Sequence, residues 1–332
     1  MERIFERGDE EYIEIIEKLK NKGYDIISLD EVSRRYCFNI LAHRKEKTLL
    51  IRYLRNLDSV PARCIKELKA LAYTLNAVPL IISSRDSRKE LSNGVAYMRY
   101  GIYSVNPRTF IDALMNRPPY VYMDRGGIYV NINGNKLRRL RLDKNLSLGE
   151  LADRVGVSRK AIYSYERNII GASPEVLERL ETILGEHIRK PINIFEEMRI
   201  SKGKYDSEVD KEVVFQKPKK SYEKYRLMHI LTKIADRMGI RVLFFERNVF
   251  EILTKSKNKN IFIKFILKLN EREVKEVRYT LKIADITSSR ALFITRDKSR
   301  IRELKDITDK ETISLDQVDE RRLTEAVGIN LT

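Results

Sequence analysis

Residues 147–166 read SLGELADRVGVSRKAIYSYE, and this stretch decides which fold to expect in the middle of the chain. Ser147 and Glu150 match the capping box, in which each side chain binds a backbone N–H at the start of a helix. Gly156 stands where a left-handed residue would end that helix. Apolar residues recur between them at the spacing of one helix face: Leu148, Leu151, Ala152 and Val155. The first half of the stretch therefore predicts a short amphipathic helix.

A second helix is predicted directly after the glycine. Ser158 is a suitable N-cap, and the apolar face that follows consists of Ala161, Ile162 and Tyr165. Two short helices joined by a tight turn that contains glycine form a helix-turn-helix, whose second helix suits the major groove of DNA. This pattern indicates DNA as the partner of the middle of the chain.

Three further helical segments surround this pair. Residues 136–144 carry leucines at helical spacing among basic side chains. Ser173 and Pro174 stand in the usual order of N-cap and first helical residue. The segment Pro191–Met198 predicts a fifth helix. We therefore expect an all-α domain of five helices over residues 135–200.

This five-helix layout resembles the DNA-binding domain of the phage Cro and repressor family. The resemblance covers residues 136–185, where the spacing, the caps and the apolar positions agree together. Three short motifs carry it: Leu151-Ala152, Gly156-Val157-Ser158 and Tyr165-Glu166-Arg167. It implies that the helix Ser158–Glu166 enters the major groove of double-stranded DNA.

The resemblance also implies which side chains meet DNA. Arg159 and Lys160, just inside the second helix, would read base edges, and an Arg or Lys on guanine is the commonest specific contact. The whole set expected at DNA is Ser158, Arg159, Lys160, Tyr163, Ser164, Arg167 and Asn168. Its last two members begin the following loop, where backbone phosphate is expected. The competing interpretation is that Arg159 and Lys160 are only solvated surface charges.

No DNA contact is assigned to two neighbouring positions. Glu166 matches a family position that holds the fold together through a local ion pair. Many relatives carry Gln at the first position of the scaffold helix, where this chain has Leu148, so the contact of that Gln is not carried over.

Composition agrees with a nucleic-acid partner but does not establish one. The 332 residues include 65 Lys and Arg against 48 Asp and Glu, a formal net charge of +17. Such a charge favours a polyanion, although a membrane surface or simple solubility would use it equally well. The first residues are charged and no apolar run reaches membrane length, so we expect a cytoplasmic protein without membrane contact.

Few side chains suit a metal or cofactor. The chain has two cysteines, Cys37 and Cys64, in apolar contexts, and three histidines. This favours neither a disulfide framework nor a zinc site. Without a Gly-rich phosphate loop or a visible ligand constellation, we expect no cofactor and no small-molecule ligand.

The first part of the chain, residues 1–118, predicts an α/β domain. A helix over residues 9–22 is followed by strand-like segments at Asp25–Leu29, Cys37–Ala42 and Thr48–Leu54. A second helix over residues 61–75 and a strand at Pro79–Ser83 complete an order of helix, three strands, helix and strand.

The same order returns in residues 222–332, after a polar segment, 201–221, that reads as a linker. Helices are predicted at Leu227–Met238 and Glu271–Ile283, and strands at Arg241–Phe245, Val249–Leu253, Ile261–Ile266 and Leu292–Thr295. Cys37–Leu41 aligns with Val249–Leu253, 212 residues later, and the same offset continues through the next strand. Chance similarity of two unrelated α/β domains is the alternative, and we favour internal duplication.

A Tyr-rich connector, residues 119–134, precedes the predicted DNA-binding domain. Tyr120–Met123 and Ile128–Ile132 flank the turn residues 124–127, which predicts a hairpin. Interleaved Tyr and Arg could stack on bases, but packing against a neighbouring domain is favoured. Asn106 before Pro107, and Asp316 in the second copy, each resemble a helix cap that follows a final strand.

The repeated order resembles the restriction-endonuclease-like fold, and archaeal Holliday-junction resolvases in particular. Members that cut DNA hold a divalent metal with an Asp on the second strand and a Glu-x-Lys on the third. The Asp position is Asn39 in the first copy and Glu251 in the second, and the Glu position is Arg52 and Lys264. A cation at a metal-ligand position repels Mg²⁺, so we expect the nuclease site to be lost. Arg52 and Lys264 are expected to face solvent, or to touch phosphate.

The preferred hypothesis is a sequence-specific regulator of transcription that binds double-stranded DNA, acts as a homodimer and is not an enzyme. The arrangement of domains resembles an archaeal family of Cro-type transcriptional regulators. An architectural or RNA-associated binder of low specificity is the first alternative, and a metal-dependent nuclease or junction resolvase is the second.

Overall fold

The computed structural model describes residues 7–29, 35–124, 127–196, 241–255, 260–266, 269–295 and 299–308, with shorter runs at 228–230, 232–233 and 312–314 and single residues 237 and 310. The chain divides into two compact units. Unit 1 comprises residues 1–22, 53–59 and 80–196, and unit 2 comprises residues 23–52, 60–79 and 197–332. The predicted domain boundaries are not tested by this division and stay predictions.

The described residues of the first α/β part form three α-helices, a short 3-10 helix at Leu57–Ser59 and six strands. The helices are α1 (Arg7–Asn21), α2 (Ala62–Leu75) and α3 (Pro107–Leu114). The strands are β1 (Asp25–Ser28), β2 (Ile40–Arg44), β3 (Lys47–Asn56), β4 (Ala77–Arg85), β5 (Val95–Arg99) and β6 (Ile102–Val105). Asn106 caps α3 by accepting a hydrogen bond from Thr109 N at 2.8 Å, as expected from its place before Pro107.

Two details of this part differ from the prediction. The second strand begins at Ile40 and not at Cys37, because residues 37–39 bend before joining the ladder. Asn39 still takes part in it, since Leu29 N donates to Asn39 O at 2.7 Å and Asn39 N donates to Ile51 O at 2.8 Å. β5 and β6 form an antiparallel pair that the sequence did not predict as two strands.

A hairpin extends this sheet toward the helical domain. It consists of β7 (Val121–Asp124) and β8 (Gly127–Val130), so the predicted hairpin is confirmed. The sheet order is β1-β2-β3-β4-β6-β5-β7-β8. β5 and β7 pair in parallel, and the Val130 and Ala172 backbones exchange hydrogen bonds at 2.8 and 3.0 Å. The hairpin therefore pairs with β5 on one side and with the helical domain on the other, which confirms the packing role.

The helical domain has four helices among the described residues: α4 (Gly134–Asp143), α5 (Leu148–Val155), α6 (Arg159–Glu166) and α7 (Pro174–Leu184). The capping box of Ser147 and Glu150, and the N-caps Ser158 and Ser173, are all present. The helices enclose one apolar core, to which each of them contributes. Of the helices in the described parts of the chain, none is long and apolar enough to cross a membrane.

The predicted fifth helix is wrong over its described residues. Residues 191–196 are not helical, and residues 197–198 lie outside the described residues. The backbone here pairs with the connector instead: Lys190 N donates to Asn131 O at 2.8 Å, and Ile192 N donates to Pro119 O at 2.7 Å. An extended segment satisfies these long-range partners, which a helix would not reach.

The last α/β part lies in unit 2. Its strands are β9 (Arg241–Phe244), β10 (Ile252–Lys255), β11 (Asn260–Ile266), β12 (Arg290–Thr295) and β13 (Thr312–Ser314), and its described helices include α8 (Glu271–Ile286) and α9 (Ser299–Lys305). The sheet order is β13-β12-β11-β10-β9. Most of the predicted helix Leu227–Met238, all of the linker 201–221 and Asp316 lie outside the described residues.

The two sheets share a register. Ile40 pairs with Ile51 in the first sheet, and Ile252 pairs with Ile263, each 212 residues later, in the second. The bends before these strands agree too, because Glu251 N donates to Ile263 O at 3.1 Å, as Asn39 N does to Ile51 O.

Candidate nucleic-acid interface

The helix α6 presents one buried face and one exposed face. Ile162 and Tyr165 point into the core of the helical domain and are 0% and 6% exposed. Ser158 begins the helix by accepting a hydrogen bond from Ala161 N at 3.1 Å. The core contacts fix which side of the helix is left for a partner.

The predicted DNA-contacting residues lie on the other side. Arg159 and Lys160 are exposed at the first turn, next to the exposed Ser158. Tyr163 is 45% exposed one turn later. Ser164 is half-buried, and its hydroxyl donates to Lys160 O at 2.8 Å. The residues at the start of α6 are therefore available to a large ligand, while Ser164 already has a local partner.

The loop after α6 carries the remaining two predicted residues. The Arg167 guanidinium lies 5.1 Å from the centre of the Tyr163 ring, a cation–π arrangement that fixes both side chains on one surface. Asn168 is exposed in a left-handed conformation, with φ +56°. Its Oδ1 accepts a hydrogen bond from Gly134 N at 3.0 Å, so this side chain also caps the start of α4. A phosphate contact from Asn168 would have to come from its amide NH₂ group.

Two apolar residues that the sequence motifs do not indicate lie beside this surface. Ile169 and Ile170 follow directly and are 63% and 47% exposed. The sequence shows only that two isoleucines are adjacent, and a buried pair of isoleucines would look the same. Their position next to Arg167 and Asn168 places apolar side chains at the edge of the candidate interface.

The end of α6 is tied to α4. Arg141 on α4 donates from Nε to Glu166 Oε1 at 2.5 Å and from Nη2 to Glu166 Oε2 at 3.2 Å. This ion pair confirms the structural role predicted for Glu166. Gly134 at the start of α4 lies so close to the last carbonyls of α6 that an added Cβ would overlap Glu166 O. The exposed face of α6 is thus held by contacts at its C-terminal end.

A second set of contacts holds α7. Glu181 accepts hydrogen bonds from Ile188 N at 2.9 Å and from Arg189 Nη2 at 2.7 Å, and its carboxylate lies 2.9 Å from His187 Nδ1. Burial disfavours the charged carboxylate, but the hydrogen bonds from Arg189, His187 and Ile188 outweigh it and lower the pKa of Glu181 to about 2.

The positions that correspond to a nuclease metal site lie in unit 2, where Asn39, Arg52 and Lys264 are buried and Glu251 is half-buried. The expectation that Arg52 and Lys264 face solvent is wrong, because both lie on strands enclosed on both faces and are 5% and 2% exposed. Arg52 Nη1 donates to Asn39 Oδ1 at 3.2 Å. Lys264 Nζ lies 2.5 Å from Glu276 Oε2, within a group that includes Glu251 and Glu273.

With Arg52 and Lys264 in place, these residues do not fit a divalent metal. The cations of Arg52 and Lys264 occupy two of the positions where a metal ligand would stand. Among the described residues, no group of three or more His, Cys, Asp or Glu is arranged to hold a metal ion. Burial lowers the affinity of Lys264 for its proton, but Glu251, Glu276 and Glu273 outweigh it and raise the pKa of the ammonium. Burial also acts on Glu276, yet the same ammonium lowers the pKa of this carboxyl.

Two family models match the chain. Residues 9–119 match the PD-(D/E)XK superfamily domain, and residues 137–190 match the helix-turn-helix. The expected nuclease-like fold of the first part and the expected helix-turn-helix are thereby confirmed.

Relatives extend over most of the chain. A protein of Methanococcus maripaludis is 34% identical over 86% of this chain and 87% of its own length. A protein of Methanococcus vannielii is 35% identical over 87% of this chain and 90% of its own length. A protein of Pyrococcus abyssi is 30% identical over 93% of this chain and 93% of its own length. All three bear the name of HTH-type transcriptional regulatory proteins.

A solved structure, the SinR protein/SinI protein complex, is 22% identical, covering 32% of this chain and 99% of that chain. Its TM-score is 0.17, which carries no argument about fold or partner.

Proposed function

Because this chain belongs to the archaeal family of HTH-type transcriptional regulatory proteins, we propose that it is a sequence-specific regulator that reads the major groove of double-stranded DNA with the helix Ser158–Glu166. A regulator of this kind acts in the cytoplasm, where the DNA of an archaeal cell lies.

One observation carries the proposal. The start of α6 exposes Arg159 and Lys160 on the side opposite its buried Ile162 and Tyr165. In a helix-turn-helix the residues at the start of the second helix contact base edges, and Arg and Lys bind guanine O6 and N7. Arg167 follows at a place suited to phosphate, which positions a protein on DNA without reading sequence.

We further propose that two copies act together. Helix-turn-helix proteins that dimerise bind half-sites about 34 Å apart, so a two-fold symmetric pair would select a palindromic site. Ile169 and Ile170 supply exposed apolar surface next to the recognition helix.

The α/β parts are proposed to have a non-catalytic role. The shared register of the two sheets supports an internal duplication, and a cation stands at the position of a metal-binding carboxylate in both copies. A duplicated module that lost its metal ligands would serve as a scaffold for the helix-turn-helix. Cleavage of DNA by the chain with added Mg²⁺ or Mn²⁺ would contradict this non-catalytic role.

The formal charge of +17 supports one second candidate, a nucleic-acid binder of low specificity. Non-specific binding rests on phosphate contacts and falls steeply with salt, whereas a specific binder keeps a large affinity ratio between its site and random DNA.

Selection of bound fragments from a random pool of double-stranded DNA tests both. The wild-type chain should enrich one palindrome, and Arg159→Ala should relax one base pair in each half of it. Arg278→Ala, which removes an exposed arginine on α8, serves as the control of equal charge and should enrich the unchanged palindrome. No enrichment by the wild-type chain, with strong salt-dependent binding to the whole pool, would favour the low-specificity binder.

A further inference from the structure

Three carboxylates converge on one buried ammonium in unit 2. Lys264 Nζ lies 2.5 Å from Glu276 Oε2, 3.4 Å from Glu273 Oε2 and 3.5 Å from Glu251 Oε1. The Lys264 side chain is 3% exposed, and that of Glu276 is also 3% exposed. Ions removed from water in this way persist only when they are paired and hydrogen-bonded. These four residues are called the Lys264 cluster below.

Surrounding groups donate further hydrogen bonds to two of the three carboxylates, those of Glu276 and Glu251. Arg272 Nε donates to Glu276 Oε1 at 2.9 Å, and Tyr36 Oη donates to the same oxygen at 2.8 Å. Phe265 N donates to Glu251 Oε2 at 2.9 Å. Glu276 is therefore held beside the ammonium by the helix α8 and the Tyr36 segment, and Glu251 by the strand β11 that carries Lys264.

Two members of the cluster occupy the strand positions from which cleaving relatives hold a metal. Glu251 stands at the second-strand Asp position and Lys264 at the third-strand Glu position. A lysine ammonium is a compact point charge with three donors, so it can satisfy three carboxylates from the middle of the group. A divalent cation would occupy the same centre of negative charge, at shorter distances of about 2.0–2.6 Å.

The first copy also has a cationic side chain in place of the metal-binding Glu, at the same position of the strand. Arg52 and Asn39 precede Lys264 and Glu251 by 212 residues, and Arg52 Nη1 donates to Asn39 Oδ1 at 3.2 Å. Asn39, Pro61 and Cys64 stand where the second copy has Glu251, Glu273 and Glu276, so the first copy has none of the three carboxylates. The second copy alone keeps a full acidic set, and it alone places a compact ammonium inside it.

We propose that Lys264 is a tethered substitute for the divalent cation, and that Glu251, Glu273 and Glu276 still form a cation-binding set which its ammonium occupies permanently. The cluster then stabilises unit 2 without metal, because Glu276 also binds Tyr36, 240 residues away in the sequence. Removing the ammonium would leave three carboxylates around a void and turn the cluster into a site for Mn²⁺ or Mg²⁺. This inference does not depend on DNA binding.

Thermal unfolding of the full chain with EDTA, MgCl₂ or MnCl₂ tests the proposal. The wild-type melting temperature should be the same in all three, since its cluster already holds a cation. Lys264→Ala should melt several degrees lower in EDTA and recover most of the loss in MnCl₂, because a ligand that binds only the folded state raises stability by mass action. Electron paramagnetic resonance should count one tightly held Mn²⁺ per Lys264→Ala chain and none per wild-type chain.

Two variants show whether the cluster is the site of the response. Lys275→Ala removes an exposed lysine from the same helix and should not respond to Mn²⁺. Adding Glu251→Gln to Lys264→Ala should abolish the recovery in MnCl₂. If Lys264→Ala does not fold in EDTA, refolding it and Lys264→Gln in MnCl₂ gives the same information, since the metal should restore soluble protein.

Several outcomes would overturn the proposal. A folded Lys264→Ala chain that does not respond to Mn²⁺ would show that the carboxylates do not form a cation-binding set. Failure of both Lys264 variants to fold in MnCl₂ would show the same, and a wild-type chain that is stabilised by Mn²⁺ would show that Lys264 is not the substitute.

Discussion

Arg141 on α4 and Glu166 at the end of α6 form a buried ion pair with two hydrogen bonds, of 2.5 and 3.2 Å. Both side chains are 8% exposed. Arg141 Nη1 also donates to Leu146 O at 2.7 Å, just before the capping box of α5. The Arg141 guanidinium thus links α4, the start of α5 and the end of α6, so the orientation of α6 depends on it.

Glu166→Gln is expected to destabilise the helical domain and to weaken DNA binding. The substitution keeps the shape of the side chain but leaves Arg141 as a buried charge without its anion, which costs about 3–5 kcal/mol where it has been measured. Urea unfolding gives the change in the free energy of unfolding. Glu178→Gln, on the exposed side of α7, is the matched control and should stay within about 0.5 kcal/mol. A loss below about 1 kcal/mol for Glu166→Gln would show that water compensates Arg141.

Gly134→Ala is expected to disturb α6 through sterics alone. The added Cβ would overlap the carbonyl oxygens of Tyr165 and Glu166, which are backbone atoms that cannot turn away. Overpacking of this kind costs about 1–3 kcal/mol. The measurement is the free energy of unfolding together with affinity for the selected DNA site.

Gly149→Ala is the matched control for that prediction. Its Cβ would meet only Ser147 Oγ at 3.8 Å, and alanine in a helix is about 0.5–1 kcal/mol more favourable than glycine. One glycine-to-alanine change should therefore destabilise the domain and the other should stabilise it. Equal effects would show that the approach of α4 to α6 is not tight.

Local signals were sufficient to predict the helix-turn-helix. Capping residues such as Ser147, Ser158 and Gly156 act within four positions of the backbone groups that they satisfy, so their chemistry is visible in sequence. The ends of the helices in this region followed from them. The exposure of Arg159 and Lys160 followed as well, because Ile162 and Tyr165 define the buried face.

Contacts between distant residues could not be predicted in the same way. Lys264 was expected in solvent because a lone cation on a strand usually lies there, and its carboxylates come from α8 and from β10's preceding bend. The predicted helix at Pro191 failed for a related reason, since its backbone pairs with residues of the connector. Asn168 was assigned to phosphate, and only the structure shows that it binds the Gly134 N–H.

Acid should weaken the helical domain through Glu181. The folded pKa of about 2 lies below the ordinary value of 4.5, so the stabilisation is fully present above about pH 4.5 and is lost as the pH falls toward 2. The shift corresponds to at most about 3 kcal/mol. Unfolding by urea between pH 7 and 2 should show a steeper loss for the wild type than for Glu181→Gln. Parallel pH profiles for the two chains would show that other carboxylates cause the acid sensitivity.

Arg159 and Arg167 should differ in what they contribute to DNA binding. Arg159→Ala should cost about 1–3 kcal/mol on the selected site and relax preference at one base pair, because it removes a contact to a base edge. Arg167→Ala should weaken binding to every sequence alike and lower the salt slope by about 1, because its partner would be a phosphate. Equilibrium binding to the selected site and to its single-base variants, at several salt concentrations, separates the two effects. Uniform weakening by Arg159→Ala would assign that side chain to phosphate, and loss of base preference with Arg167→Ala would reverse the two roles.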